Sequence, residues 1–273
     1  MDILNVIPPN RFRTLDDLLA FISIYDDEHR TKAYRSLLRS HRRLIRGATC
    51  VEGGCGLALF SIELARLGAK KVYAVEQNAL LLQLAQHQID RQPQEIRRTI
   101  ELVNLPLQQF QPREPIHILV HEFYGQLLYD EDLWVLERLK FRPQLTLPNG
   151  GELRAGIVSS ASYRDPVVGP EVVQLLEGVL VSGLFDERHT ELRVPVLRWE
   201  FGKGLHPVRH HFGKFRGDLL CLGLVITHNG KLVCEAGKCP NWSYAWTKRV
   251  GNRIAFRFRR SGPTMDCSFR WIQ

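Results

Sequence analysis

The 273-residue chain contains no apolar run near the ~18 residues that a bilayer-spanning helix needs. Its first residues, MDILNVIPPNRFR, lack the charged-then-apolar pattern of a secretory leader. A soluble, cytoplasmic protein with no membrane partner is expected. Six cysteines are present (Cys50, Cys55, Cys221, Cys234, Cys239 and Cys267), but they form no CxxC pair. That scatter argues against a disulfide framework, and free buried thiols are expected. His206, His210 and His211 in HPVRHH have no carboxylate or cysteine at a recognised ligand spacing. Cys234 and Cys239 with His228 fit no standard zinc pattern either, so no metal is expected. No internal repeat or low-complexity segment is visible.

Acidic residues are in deficit, 29 against 37 basic ones, giving a net charge of +8. This balance is compatible with anionic partners and argues mildly against a strongly cationic substrate. Much of the excess lies in Arg11–Arg46 and Arg249–Arg270. Arg257, Arg259 and Arg260 read as the wet face of an edge strand, and no nucleic-acid partner is expected.

The most informative segment is Cys50–Glu76, CVEGGCGLALFSIELARLGAKKVYAVE. It reads as a buried strand, a glycine turn, a helix and a second buried strand ending in a carboxylate. That order builds half of a nucleotide-binding α/β unit. Gly54 and Gly56 would let the backbone approach a ligand. Glu76 is placed to accept hydrogen bonds from two ribose hydroxyls. Ala58 and Leu59 stand where the dinucleotide fingerprint has its third glycine, and no basic residue opens the helix. An adenosyl ligand without a pyrophosphate fits better than NAD, and S-adenosylmethionine is the obvious candidate.

Residues 15–44 have helical periodicity, with Thr14, Asp16 and Asp17 as a start signal. Residues 48–120 alternate strand and helix, which predicts a doubly wound parallel sheet of the α/β class. Ligands of such sheets gather at the carboxyl ends of the strands, where Gly54, Glu76, Asn104 and Glu122 fall. Asn104 suits either an adenine edge or a turn. Beyond LPNGGEL the chain is richer in strands, which predicts a small antiparallel barrel or sandwich. Within it, Val172, Leu175, Leu176, Val179 and Leu180 form a helical stripe over 170–184, either local core or a docking arm. The expected division is a helical segment 1–46, a ligand-binding sheet domain 47–148 and a β domain 149–273.

HEFYGQLLYDEDLW places Glu122 at a strand end and Glu131 past a turn at Gly125. A loop of this length can fold back and bring both carboxylates into one pocket. Two like charges at close range need a cation between them. A guanidinium is planar and pairs bidentately with carboxylates, so it suits that gap. Glu122 as a local cap and Glu131 on a solvated face remain the alternative. Phe123, Tyr124, Tyr129 and Trp134 point to a lined pocket. Trp246 suits either a pocket wall or a core position.

Four blocks in order resemble the protein arginine methyltransferases, most closely over residues 20–155. DDEHRTKAY resembles the family's pre-core helix and implies that Arg30 grips the methionyl carboxylate. VEGGCG with YAVE implies Glu52 near the methionyl amino group and Glu76 on the ribose. HEFYGQLLYDEDL resembles the double-glutamate loop. LTLPNG resembles the passage into the family's barrel, with Pro148 as an expected cis proline. The resemblance implies a Rossmann-like methyltransferase sheet followed by a smaller β-barrel, and a homodimer joined through 170–184. It also implies methyl transfer to a guanidino nitrogen held by Glu122 and Glu131.

The chain departs from the family at Glu52, usually aspartate, and at Tyr124, which replaces a pocket methionine. It also departs at Tyr244-Ala245-Trp246, which lacks the histidine that pairs with an aspartate, here Asp27. The tyrosine-rich helix before the core is not evident, with Arg11 and Leu15 in its region. A guanidino small molecule such as arginine or agmatine is the favoured acceptor, with Tyr124 and Trp246 beside it. Peptidyl arginine and a non-catalytic cofactor-binding pseudoenzyme are the alternatives.

Overall fold

The computed structural model describes residues 8–162, 170–185, 192–262 and 264–272. Its first half is a five-stranded sheet of β1 (Thr49–Gly53), β2 (Lys71–Val75), β3 (Ile100–Val103), β4 (Ile118–His121) and β5 (Leu145–Leu147). The strand order is β3–β2–β1–β4–β5, and every pairing is parallel. β1 and β4 are buried at every position, as short central strands covered on both faces must be. Their carboxyl ends, Gly53, Val75, Val103, His121 and Leu147, therefore share one edge. The Leu147–Pro148 peptide bond is cis, as the resemblance implies.

Helices flank this sheet: α1 (Pro9–Asp26), α2 (Glu28–Ser40), α3 (Arg42–Ile45), α4 (Leu59–Arg66), α5 (Ala79–Asp90) and α6 (Gln94–Thr99). The single helix expected over 15–44 starts earlier, at Pro9, and is broken at Asp27. Asp27 leaves the helical region (φ −73°, ψ 81°), and its side chain accepts from Arg30 N at 2.9 Å. An aspartate N-cap ends one helix and starts the next. Asn78 caps α5 the same way, accepting from the amides of Leu80 and Leu81.

The second half is antiparallel. Its strands are β6 (Gly150–Val158), β7 (Val181–Ser182), β8 (Val194–Glu200), β9 (Gly204–Pro207), β10 (Leu219–His228), β11 (Lys231–Glu235) and β12 (Ala245–Lys248). They run β7–β12–β10–β6–β8–β9, with β11 paired to β10. A separate hairpin, β13 (Arg253–Ser261) with β14 (Thr264–Ile272), turns Ile254, Phe256 and Phe258 toward the core. Arg257 and Arg259 on its other face are exposed.

Two expectations are corrected here. The stripe over 170–184 forms only a short helix, α7 (Pro170–Leu175), with Val173 and Leu176 buried. Leu175 and Val179 lie exposed instead. The cysteines are not all free thiols. Cys234 and Cys239 form a disulfide, because the turn after β11 folds Cys239 back until its amide bonds Glu235 O at 3.2 Å. Cys50, Cys55, Cys221 and Cys267 stand outside that disulfide. Among the described residues, no helix is long and apolar enough to cross a membrane.

Candidate active site

The turn after β1 is built on left-handed backbone at Gly54 (φ +63°), Gly56 (φ +51°) and Ala58 (φ +60°). A Cβ on Gly54 would stand 2.5 Å from Phe123 Cε1, and one on Gly56 would stand 2.6 Å from Phe21 Cε1. The close approach that these glycines permit is thus made by the chain's own aromatic rings. Tyr25, one helical turn after Phe21, joins them. Its hydroxyl accepts from Leu57 N at 2.7 Å and donates to Cys55 O at 3.4 Å. An aromatic pair four residues apart on α1 therefore covers the glycine turn, where the sequence reading saw only Arg11 and Leu15. The spacing of Phe21 and Tyr25 was the available signal.

The carboxylates at the strand ends are held by backbone amides. Glu76 accepts from Gly56 N at 3.1 Å and Asn78 N at 2.8 Å. It so ties the glycine turn to the start of α5. Asn104 donates to the carbonyls of Glu76 and Gln77, at 2.9 and 3.1 Å, which fixes the loop that carries this carboxylate. Glu52 is held by the start of α4. It lies buried under α4, accepting from Phe60 N at 3.3 Å, Ser61 N at 2.6 Å and the Ser61 hydroxyl. Burial pushes Glu52 up to about 8, opposed by the Ser61 hydrogen bonds.

Arg30 meets Glu122. Its Nη1 donates to Glu122 Oε2 at 2.7 Å and its Nη2 donates to Ile24 O at 2.9 Å, while its guanidinium lies 5.9 Å from the Trp242 ring centre. Arg30 is 3% exposed, so this is a buried charge-assisted bond. Among the described residues, Arg30 Nε and Glu122 Oε1 are buried without a hydrogen-bond partner. Burial raises the Glu122 carboxyl, and the Arg30 charge opposes it. In this structure Glu122 thus holds a guanidinium supplied by the chain itself.

Glu131 reaches the same region through a tight turn in which Leu128 N bonds Gly125 O at 3.0 Å. A Cβ on Gly125 would stand 2.8 Å from Glu131 Cγ, so glycine admits the returning loop. Partial desolvation, then the charges of Asp130, Asp132 and Glu122, push Glu131 up to about 7. Glu131 is exposed, so water screens this repulsion.

Tyr124 and Trp246 are not laid out as open pocket walls. Tyr124 is buried and donates to Gly150 O at 3.1 Å, linking the double-glutamate loop to β6. Trp246 is fully buried in the β domain, edge-on to Phe185 at 5.0 Å, so it is a core tryptophan. His121 is buried 3.0 Å from Pro148 O, and burial lowers it to about 4, so it stays neutral. Asp27 accepts from Asn241 N at 3.4 Å, and Asn241 donates through Nδ2 to Ser23 O at 2.8 Å. Asn241 and Trp242 thus bring the β domain onto the helix break beside Arg30, a role that sequence reasoning missed.

The parallel order β3–β2–β1–β4–β5, a glycine turn after β1 and a carboxylate after β2 form a doubly wound nucleotide-binding sheet. Solved structures of similar shape include the Trypanosoma brucei PRMT1 enzyme–prozyme heterotetrameric complex with AdoHcy, at TM-score 0.67 and 14% identity. That match covers 91% of both chains. A PRMT6–SAH crystal structure matches at TM-score 0.66 and 12% identity, covering 93% of this chain and 99% of that one. No protein-family model matches the chain.

Curated and solved neighbours together point to the protein arginine N-methyltransferase family. Protein arginine N-methyltransferase 1 of Schizosaccharomyces pombe is 27% identical over 149 residues, 52% of this chain and 43% of its own length. A probable protein arginine N-methyltransferase 6.2 of Oryza sativa subsp. indica is 30% identical over 147 residues, 52% of this chain and 36% of its own. The chain therefore spans less than half the length of these curated relatives.

Proposed function

We propose that this chain is an S-adenosylmethionine-dependent arginine N-methyltransferase acting on peptidyl arginine. One observation carries the reading: Glu122 already accepts a guanidinium at 2.7 Å and keeps its second oxygen buried and unpaired. A buried carboxylate oxygen without a donor calls for one, and a guanidinium nitrogen supplies it. Curated relatives named as protein arginine N-methyltransferases support peptidyl arginine over free arginine or agmatine. The small-molecule acceptor favoured on charge has no such support.

The residues fit an adenosyl donor. Glu76, at the end of β2, would hold its ribose, and the turn Gly54–Gly56 would pass beneath it once Phe21, Tyr25 and Phe123 yield. Arg30, swinging from Glu122, would meet a carboxylate. The donor supplies an electrophilic methyl on a sulfonium. The chain's own work is positioning. Glu122 and Glu131 hold the guanidinium plane and localise its positive charge on one nitrogen, leaving lone-pair character on the other. The proton leaves that second nitrogen for solvent as the methyl arrives, so a free neutral guanidine is not required. A homodimer accompanies this reading, with the exposed Leu175 and Val179 as part of its contact.

The test is labelled methyl transfer to an arginine–glycine peptide, free arginine and agmatine, with donor binding followed by calorimetry. Transfer to the peptide, lowered about 100-fold or more in Glu131→Gln with donor binding kept, is the expected result. Glu131→Gln near wild-type activity removes the clamp. Binding without transfer to any of the three acceptors replaces the reading with a pseudoenzyme.

A further inference from the structure

One group of side chains plays no part in the site above. Among the described residues, His29, Cys234 and Cys239 bring one ligand atom each to within 4.8 Å of one another. His29 stands in the first turn of α2 and is exposed. Cys234 lies on β11 and Cys239 on the turn that follows, and both are buried. Cys239 N bonds Glu235 O at 3.2 Å, and Trp242 N bonds Cys239 O at 3.0 Å, so the turn presenting the second sulfur is fixed.

We propose that the reduced Cys234–Cys239 pair and His29 form a binding site for a thiophilic divalent cation of the zinc class. Two thiolates and an imidazole are borderline-soft donors. The two cysteines are separated by four residues, within the range seen for cysteine pairs in zinc sites. Tetrahedral zinc, with Zn–S about 2.3 Å and Zn–N about 2.0 Å, sets its ligand atoms about 3.5–3.8 Å apart, so the two sulfurs, joined here, would have to part on reduction to take it. Three protein donors leave the fourth position to water or a small ligand.

In this structure the two sulfurs are joined. A dithiol reductant supplies two electrons and two protons, cleaves the S–S bond and is itself oxidised to a disulfide. Metal entry then displaces the two thiol protons to solvent. The site is thus open in the reduced protein and closed in the oxidised one. The sequence pattern did not disclose it, because the third ligand lies in the N-terminal helices, far from the cysteines along the chain. The cation would tie α2 to the turn that carries Asn241 and Trp242. That is the seam which also holds Asp27 and Arg30.

The test is titration of the full chain with cobalt(II) chloride, followed by sulfur-to-cobalt charge-transfer absorption and then by displacement with zinc. Protein reduced with a phosphine should bind one equivalent, and the disulfide form none. His29→Ala should weaken binding about tenfold or more. Cys234→Ser should abolish the charge-transfer band's two-thiolate intensity. His29 is exposed, so its variant remains informative if the cysteine variants fail to fold. Reduced wild type without a charge-transfer band, or His29→Ala binding as tightly as wild type, overturns the proposal. This outcome is independent of methyl transfer.

Discussion

The two halves of the molecule treat charge in opposite ways. Among the described residues, every buried carboxylate (Asp27, Glu52, Glu63 and Glu76) lies in the helices and parallel sheet that precede Pro148. Among the described residues, the antiparallel half buries His228 and Thr247, and otherwise aromatic residues such as Trp246, Trp199 and Phe212, cysteines and aliphatic residues. Strand direction explains the difference. Parallel strands all end on one edge, so five chain turns converge there and their free amides can hold acids: Gly56 and Asn78 for Glu76, Phe60 and Ser61 for Glu52. Antiparallel strands deliver their ends alternately to opposite edges, and no comparable cluster of amides forms. Chemistry collects on the first half, while the second supplies packing and, through Asn241 and Trp242, a brace.

This contrast is open to attack at four points. The largest effect is expected from Glu122→Gln. It should lower turnover about 100-fold or more. It should also cost about 3 kcal/mol of stability, because Arg30 keeps a buried charge without its counter-ion. Turnover and a urea midpoint measure the two separately, and an unchanged midpoint would mean that Arg30 finds another partner. Trp246→Ala should cost about 3 kcal/mol or more through the cavity it leaves. Donor affinity of the protein that remains folded should be unaltered. A large loss of affinity there would show that the antiparallel half shapes the ligand edge directly.

Gly54→Ala is the third. It adds a Cβ at φ +63° against Phe123 and should cost about 1–2 kcal/mol, readable as a lower thermal midpoint. Phe123→Ala in the same chain should relieve the collision but not the backbone strain. The smallest effect is in pH. Glu131 and Glu52 have folded values raised to about 7 and about 8. Raised acids favour the protonated folded state, so their contribution is full below the unfolded value of 4.5 and is lost as pH rises through 7 and 8. Activity moves the other way, because an ionised Glu131 is needed to hold a cation. The rate should climb through about pH 7 with one ionisation, and Glu131→Gln should flatten that limb.

Much of the parallel half was legible in the sequence. Glycines at 54 and 56, a following apolar helix and Glu76 have few structural solutions, because backbone conformation and strand order dictate them together. The fold-back that follows Glu122 was legible because it needs Gly125. What escaped were contacts whose partners are remote in the chain. Phe21 and Tyr25 carry the spacing of any helix face, and nothing local says that the face meets a glycine turn. Arg30 could be assigned to a ligand or to Glu122, since a guanidinium serves either carboxylate equally well. Cys234 and Cys239 looked isolated because their pairing depends on a turn set by Glu235 and Trp242 carbonyl and amide contacts. Trp246 was undecided because an aromatic residue on a short strand does not announce which sheet face it occupies.

The Arg30–Glu122 bond makes one side chain the arbiter of arrival order. The guanidinium spends one nitrogen on Glu122 and keeps Nε unspent, so it has donors left for a second carboxylate, and an incoming anion that draws Arg30 away would also unmask the Glu122 oxygen it now holds. The anion-bearing reactant should therefore dock first and the cationic one second. An acceptor arriving early would find one of the two Glu122 oxygens occupied.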